Sequence, residues 1–276
     1  MIAAFLAGVM LGTTLETFDT VYDDAPHKNL RELSTVQASD GWKTLNVFYG
    51  SSDIFESTLP KDKKFFSQVR QDELILKLLR NKTNGYFVDL ASNDATQLSN
   101  SYALEKHYGW KGLCVEPNPA YWYNLTHARK NCELVAAVVG QNRMDELHFK
   151  YDGLEYGGLV GKKFDNKERF LSSSTREYTV TLDEIFKKFD VPRVIDYMSL
   201  DVEGAEEFIM TNFPLSDYRI RLLTVERPKA DLQTLLERFG YEKILRVSRW
   251  GETLWVHKDF KESMDMTNLE EFKGQK

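Results

Sequence analysis

Cysteine is scarce. The 276-residue chain has two, Cys114 and Cys132, which excludes a disulfide-rich scaffold and any four-thiolate zinc site. Seven prolines and 16 glycines are too few for collagenous or linker-like sequence. Basic residues are not in excess either. Thirty-six Lys and Arg stand against 42 Asp and Glu, a formal net charge of -6, so the chain has no basic footprint for a phosphate backbone and no nucleic acid is expected as partner. The five histidines (His27, His107, His127, His148 and His257) are scattered without metal-ligand spacing. What is present is an ordinary globular mixture, 42% apolar and 28% charged, long enough to bury a full core.

Long apolar runs are also short of a membrane span. Ile2 to Leu11 is apolar and the uncharged stretch reaches Leu15, below the roughly 20 residues that a spanning helix needs. Residues 2–15 read as a secretory signal or membrane anchor, or as a short apolar helix packed on the domain. Asn81-Lys82-Thr83 and Asn124-Leu125-Thr126 are glycosylation acceptors that favour the secretory pathway or a membrane-anchored protein over the cytoplasm. The two cysteines are expected at different heights on neighbouring strands, as buried thiols rather than a disulfide.

Residues 16–64 are polar and irregular and read as a linker and wrap-around arm. A helical period follows through Val69, Leu74, Ile75, Leu78 and Leu79. After it, short apolar runs alternate with amphipathic helices. Strands are expected at 86–90, 112–116, 134–139, 194–201 and 219–226, with a hairpin strand at 146–151 and an antiparallel pair at 241–247 and 252–257. Helices are expected at about 97–108, from Asn118-Pro119, at 182–189 behind the capping box Thr181 to Glu184, at 205–212, and at 230–239 closing on Gly240. Such alternation predicts a mostly parallel sheet with helices on both faces. One α/β domain over 65–258 explains the chain, with a charged tail at 259–276.

Four of these strands end on acids: Asp89, Glu116, Asp201 and Glu226. In a parallel sheet those ends share one rim, where ligands of such folds bind. A carboxylate at the end of the second strand, here Glu116, typically accepts bonds from a ribose. The turn after Asp89 runs Leu90-Ala91-Ser92-Asn93-Asp94-Ala95. Alanine stands where glycine would be easier, Asn93 is suited to positive φ, and no lysine follows to hold a pyrophosphate. A nucleoside without phosphates fits that turn better than NAD or ATP.

FVDLASNDA, LSNS, LEKHYGW, GLCVEPNP, YMSLDVEGAE and LLTVE, in this order, resemble the FkbM-like methyltransferases over about residues 85–257. The resemblance implies a Rossmann-like fold and S-adenosylmethionine as cofactor. It implies Asp89, Ala91 and Asn93 beside the methionine part, Glu116 on the ribose with Pro117 and Asn118 shaping the pocket, and Val138 and Val139 near the adenine. Asp201, Glu203 and Gly204 are then expected at the reaction centre. The alanine in the first turn departs from the commoner family pattern. The expected reaction is O-methylation of a small-molecule, glycan or lipid hydroxyl, with Asp201 as base and Glu203 as second candidate. The spacing also allows Asp201, Glu203 and Glu226 to hold one divalent ion. LSNS, LEKHYGW and EPNP equally resemble the Star-like members of the family, which implies as the alternative an inactive membrane-trafficking protein on the same fold.

Overall fold

Strands buried on both faces need continuous apolar runs, because both sides of the pleat meet covering helices. The runs from Tyr86, Lys111, Val194 and Arg219 are largely apolar, with Asp196 and Arg221 as interior charges that pair with each other across neighbouring strands, and in the computed structural model each is a strand. The structure describes residues 64–151 and 156–276. The expected segment 1–15 and the arm from residue 16, apart from Lys64, lie outside the described residues. Among those described, no helix is long and apolar enough to cross a membrane.

The first helix, α1 (Gln71–Leu78), is followed by β1 (Tyr86–Leu90), α2 (Tyr102–Tyr108), β2 (Lys111–Val115), α3 (Pro119–Ala128) and β3 (Cys132–Val135). After an intervening region come α4 (Leu182–Lys188), β9 (Val194–Leu200), α5 (Glu206–Met210), β10 (Arg219–Val225), α6 (Ala230–Arg238), β11 (Tyr241–Arg246) and β12 (Thr253–His257). The main sheet has seven strands in the order β11-β12-β10-β9-β1-β2-β3. Pairings from β10 to β3 are parallel, and β12 runs antiparallel to both neighbours. This is the expected α/β, Rossmann-like architecture. Its core joins Phe87 of β1, Tyr197 of β9, Leu222 of β10 and Leu254 of β12 to Leu74, Ile75 and Leu78 of α1, all essentially inaccessible. Strand order reverses between β1 and β9, which opens a crevice beyond their carboxyl ends.

Two local expectations change, at the third strand and at the helix from residue 97, while the Gly-rich stretch 157–161 and the charged tail take on structure of their own. The third strand does not run to residue 139. Ala137 N donates to Val135 O at 3.1 Å, a tight turn that takes the chain off the sheet edge. Beyond it, β4 (Val139–Gly140) pairs with β8 (Val180–Thr181) in a separate small sheet. The helix expected from residue 97 starts at Tyr102, because Asp94 Oδ1 accepts from the Thr96 and Gln97 N–H groups and Leu98 has φ 58°. Ser99 Oγ then accepts from Ser101 N and Tyr102 N, holding the preceding turn against the first helical residue. The Gly-rich stretch supplies β6 (Gly158–Leu159), paired with β5 (Glu146–Lys150), which also pairs with β7 (Thr175–Tyr178). The charged tail is packed down: Met264 is 4% and Phe272 1% exposed, and the Arg70 guanidinium covers the Phe272 ring.

The cysteines are a further correction, since Cys114 and Cys132 form a disulfide with Cα atoms 5.9 Å apart. Their heights do differ: Cys132 opens β3 opposite Gly112, and Cys114 lies opposite Leu134. A two-residue offset keeps both side chains on one face of the sheet. Gly112 presents no side chain beside Cys132, so its sulfur reaches diagonally to Cys114, within the usual disulfide span.

Candidate active site

The carboxyl ends of β1, β2, β9 and β10 open into one cavity of about 610 Å³, a size suited to a small-molecule ligand. Asp89, Glu116, Asp201, Glu203 and Glu226 all line it, as do Ala91, Asn93, Pro117, Asn118, Val138 and Val139. The expected site residues are therefore neighbours in space, drawn from segments more than a hundred residues apart in the chain.

Each is positioned by its element. The turn after β1 holds Ala91 and Asn93 at φ 55°, the left-handed region that asparagine tolerates and alanine enters at a cost. That twist aims the Asn93 N–H at Glu116 Oε2, at 2.8 Å, while Asn118 N donates to Oε1 at 2.7 Å. Asn118 is also the N-cap of α3, its side chain accepting from Ala120 N, with Pro119 at the first helical position. Burial pushes the Glu116 carboxyl up to about 7, against the pull of those two N–H donors. On the other wall, Asp89 accepts a hydrogen bond from Ser101 Oγ, which in turn accepts from Arg129 Nη2 at 2.9 Å. Arg129 is itself buried and paired with Glu105. Burial raises Asp89, and the Ser101 hydrogen bond and Arg129 charge hold it back.

The acids at the far rim separate into two overlapping groups. In one, Asp201, Glu206 and Glu226 offer oxygens within 4.8 Å of one another; in the other, Asp165, Glu203 and Glu226 do so. The expected trio of Asp201, Glu203 and Glu226 is thus divided. Glu203 sits at φ 53° and turns toward Arg227, whose Nη2 lies 2.6 Å from Asp165, 2.6 Å from Glu226 and 3.2 Å from Glu203. A guanidinium already serves as the cation of that second group. Burial raises the Asp201 carboxyl well above its usual range, and the nearby charges of Glu226 and Glu252 raise it further. Glu203 is pushed up to about 7 by burial and by Glu226, with Arg227 opposing.

Several residues of the site were not anticipated. Glu206 reads in sequence as an acidic first helical turn, yet it is 2% exposed and accepts from Val202 N and Gly204 N. Its signal is the spacing Asp201-x-Glu203-Gly204-x-Glu206: Gly204, at φ 88°, folds the loop so that the later acid returns beneath the earlier one. Arg227 directly follows a strand-end acid. Asp165 and Glu252 carry no local signal, because distant loops bring them in. Asn100 enters from the loop before α2, donating to Ser199 Oγ at 2.9 Å.

Comparison with known proteins sets this geometry in a family. No curated protein matches the chain. Among solved structures, the chain is similar to the crystal structure of precorrin-6y C5,15-methyltransferase from Geobacter metallireducens GS-15, at 14% identity and a TM-score of 0.35. That match covers 67% of this chain and 84% of the other, and the likeness is too slight to bear on mechanism. The family model described as "Methyltransferase FkbM domain" matches residues 89–243, from Asp89 near the end of β1 into β11. Over more than half its length, including every strand end that lines the cavity, this chain belongs to the FkbM methyltransferase domain family.

Proposed function

We propose that the chain is an S-adenosylmethionine-dependent O-methyltransferase. Membership of the family supports methyltransferase activity; the choice of cofactor and of an oxygen acceptor rests on the site. The observation that carries it is the shared cavity of Asp89, Glu116 and Asp201. The residues fit an adenosyl sulfonium. Glu116 is fixed by two backbone donors with lone pairs left for ribose hydroxyls, Val138 and Val139 offer an apolar wall for adenine, and Asp89 and Asn93 face the methionine end. The bound cofactor would supply an electrophilic methyl group on a cationic sulfur.

The chain's own residues then align the acceptor and take its proton. Leu98, Tyr156 and Trp250 line the cavity and remain exposed, an apolar border for an incoming molecule that carries the hydroxyl. Alignment is the larger contribution to rate, up to roughly 7–11 kcal/mol in well-oriented cases. Asp201 accepts the hydroxyl proton. Its raised proton affinity makes its ionised form a stronger base than an exposed aspartate, and Glu206 and Glu226 lie close enough to share the proton. A divalent ion held by Asp201, Glu206 and Glu226 would serve the same end by acidifying the hydroxyl.

One observation favours a second reading. Ala91 holds a strained left-handed conformation in the cofactor turn, as expected of an inactive Star-like trafficking protein that has relaxed the requirement for glycine. Titration calorimetry with S-adenosylmethionine separates the two. The enzyme reading expects binding that Glu116→Ala weakens by at least about a hundredfold, the loss of two hydrogen bonds to a charged group. Asp201→Asn should bind within a few-fold of the parent and lose methyl transfer. No binding by the parent chain at millimolar cofactor overturns the proposal.

A further inference from the structure

Two Asn-x-Thr tripeptides and a disulfide play no part in the chemistry of the cavity. We infer that Asn81 is an N-glycosylation site and that Asn124 is not. Structural disulfides belong to oxidising compartments, which in eukaryotic cells include the one where such tripeptides are glycosylated. The Cys114–Cys132 bridge joins two strands of the main sheet, with Cys114 buried. It therefore places the folded domain in that chemistry independently of the tripeptides themselves.

The two asparagines then differ in what a sugar would meet. Asn81 is exposed, as is Thr83, in the turn that follows α1. Its backbone, at φ 55°, is pinned by the 2.7 Å bond from Asn81 N to Leu76 O, leaving the side-chain amide to solvent. This turn precedes β1, so it lies at the amino ends of the parallel strands, whereas the cavity lies at their carboxyl ends. Five residues of strand, roughly 16 Å, separate the two, and a glycan on Asn81 leaves the cavity mouth clear.

Asn124 sits inside α3 and is half-buried, its Nδ2 3.5 Å from Asp94 Oδ2 in the turn that lines the cavity. The Thr126 hydroxyl donates to the Trp122 and Tyr123 carbonyls at 2.9 and 3.0 Å. A sugar on Asn124 would break the contact with Asp94 and press on the cofactor turn.

In the modification the Asn81 Nδ2 forms a bond to C1 of an oligosaccharide carried on a lipid diphosphate. The C1–O bond breaks, its electron pair leaves with the lipid diphosphate, and the amide gives up one proton. The test is expression of the full chain, with its own N-terminus, in a eukaryotic secretory host, followed by digestion with peptide N-glycosidase and peptide mass spectrometry. A single mobility shift is expected, with Asn81 converted to Asp on release. Asn81→Gln and Thr83→Ala should each abolish the shift, and Asn124→Gln should leave it intact. No shift in the parent chain overturns the inference. So does a shift that Asn124→Gln removes or reduces.

Discussion

Alanine at position 91 carries the clearest local conflict between residue type and backbone. A β-carbon in the left-handed region costs roughly 1 kcal/mol, and Ala91 accepts that cost at φ 55°. Ala91→Gly should stabilise the fold by up to about 1 kcal/mol, less the greater freedom that glycine gives the unfolded chain. Urea denaturation measures this directly, and a loss of stability would show that the methyl group packs favourably enough to offset its strain. At the same scale, Asp89 and Glu116 were legible because an acid ending an apolar run breaks the pattern around it. Asn93 was legible because few residue types accept positive φ. Glu206 was not: an acid in a first helical turn is ordinary, and only the loop turned by Gly204 converts it into a buried partner of Asp201.

Strand and helix types followed from period and caps, as in α4, where the Thr181–Glu184 capping box forms with both of its hydrogen bonds. Element ends followed less well, since side chains that compete for backbone donors set them. Asp94 and Ser99 delay α2, and the turn at Ala137 cuts β3 short. The disulfide shows the limit most plainly, because a diagonal approach across two parallel strands depends on register and on the empty place at Gly112. That glycine is needed for pairing as well: a β-carbon there would lie 2.0 Å from Phe87 O. The bridge closes a sequence separation of 18 residues, for which loop entropy gives about 3 kcal/mol. The double substitution Cys114→Ser with Cys132→Ser should therefore lower unfolding free energy by 2–4 kcal/mol, read in denaturant. Titration of the unfolded, unreduced parent should find no free thiol; two would refute the bridge.

The whole molecule gathers acids at one end of its sheet, and that gathering governs its response to pH. Glu116, Glu203, Glu206 and Glu252 are each pushed up to about 7, burial being the chief cause. Unfolded glutamate titrates near 4.3, so between these values the folded state holds more protons. Their stabilising contribution is full below pH ~4.3 and is lost as pH rises through about 7. Melting temperature should accordingly fall between pH 5 and pH 8. Glu252→Gln should flatten that fall, because the amide mimics the protonated acid and its oxygen can still accept from Gln71 Nε2, 2.6 Å away in the parent. A melting temperature that rises across this window would refute the charge state assigned to the cluster. Sequence alone determined the α/β class, the parallel sheet and four of the rim acids, because apolar period and strand-end polarity are local properties of the chain. Only the tertiary structure decided the disulfide, the docking of the C-terminal segment, and the partition of the acids between Arg227 and Glu206. Those depend on which distant segments meet across the sheet, a matter of register and packing that no local pattern encodes.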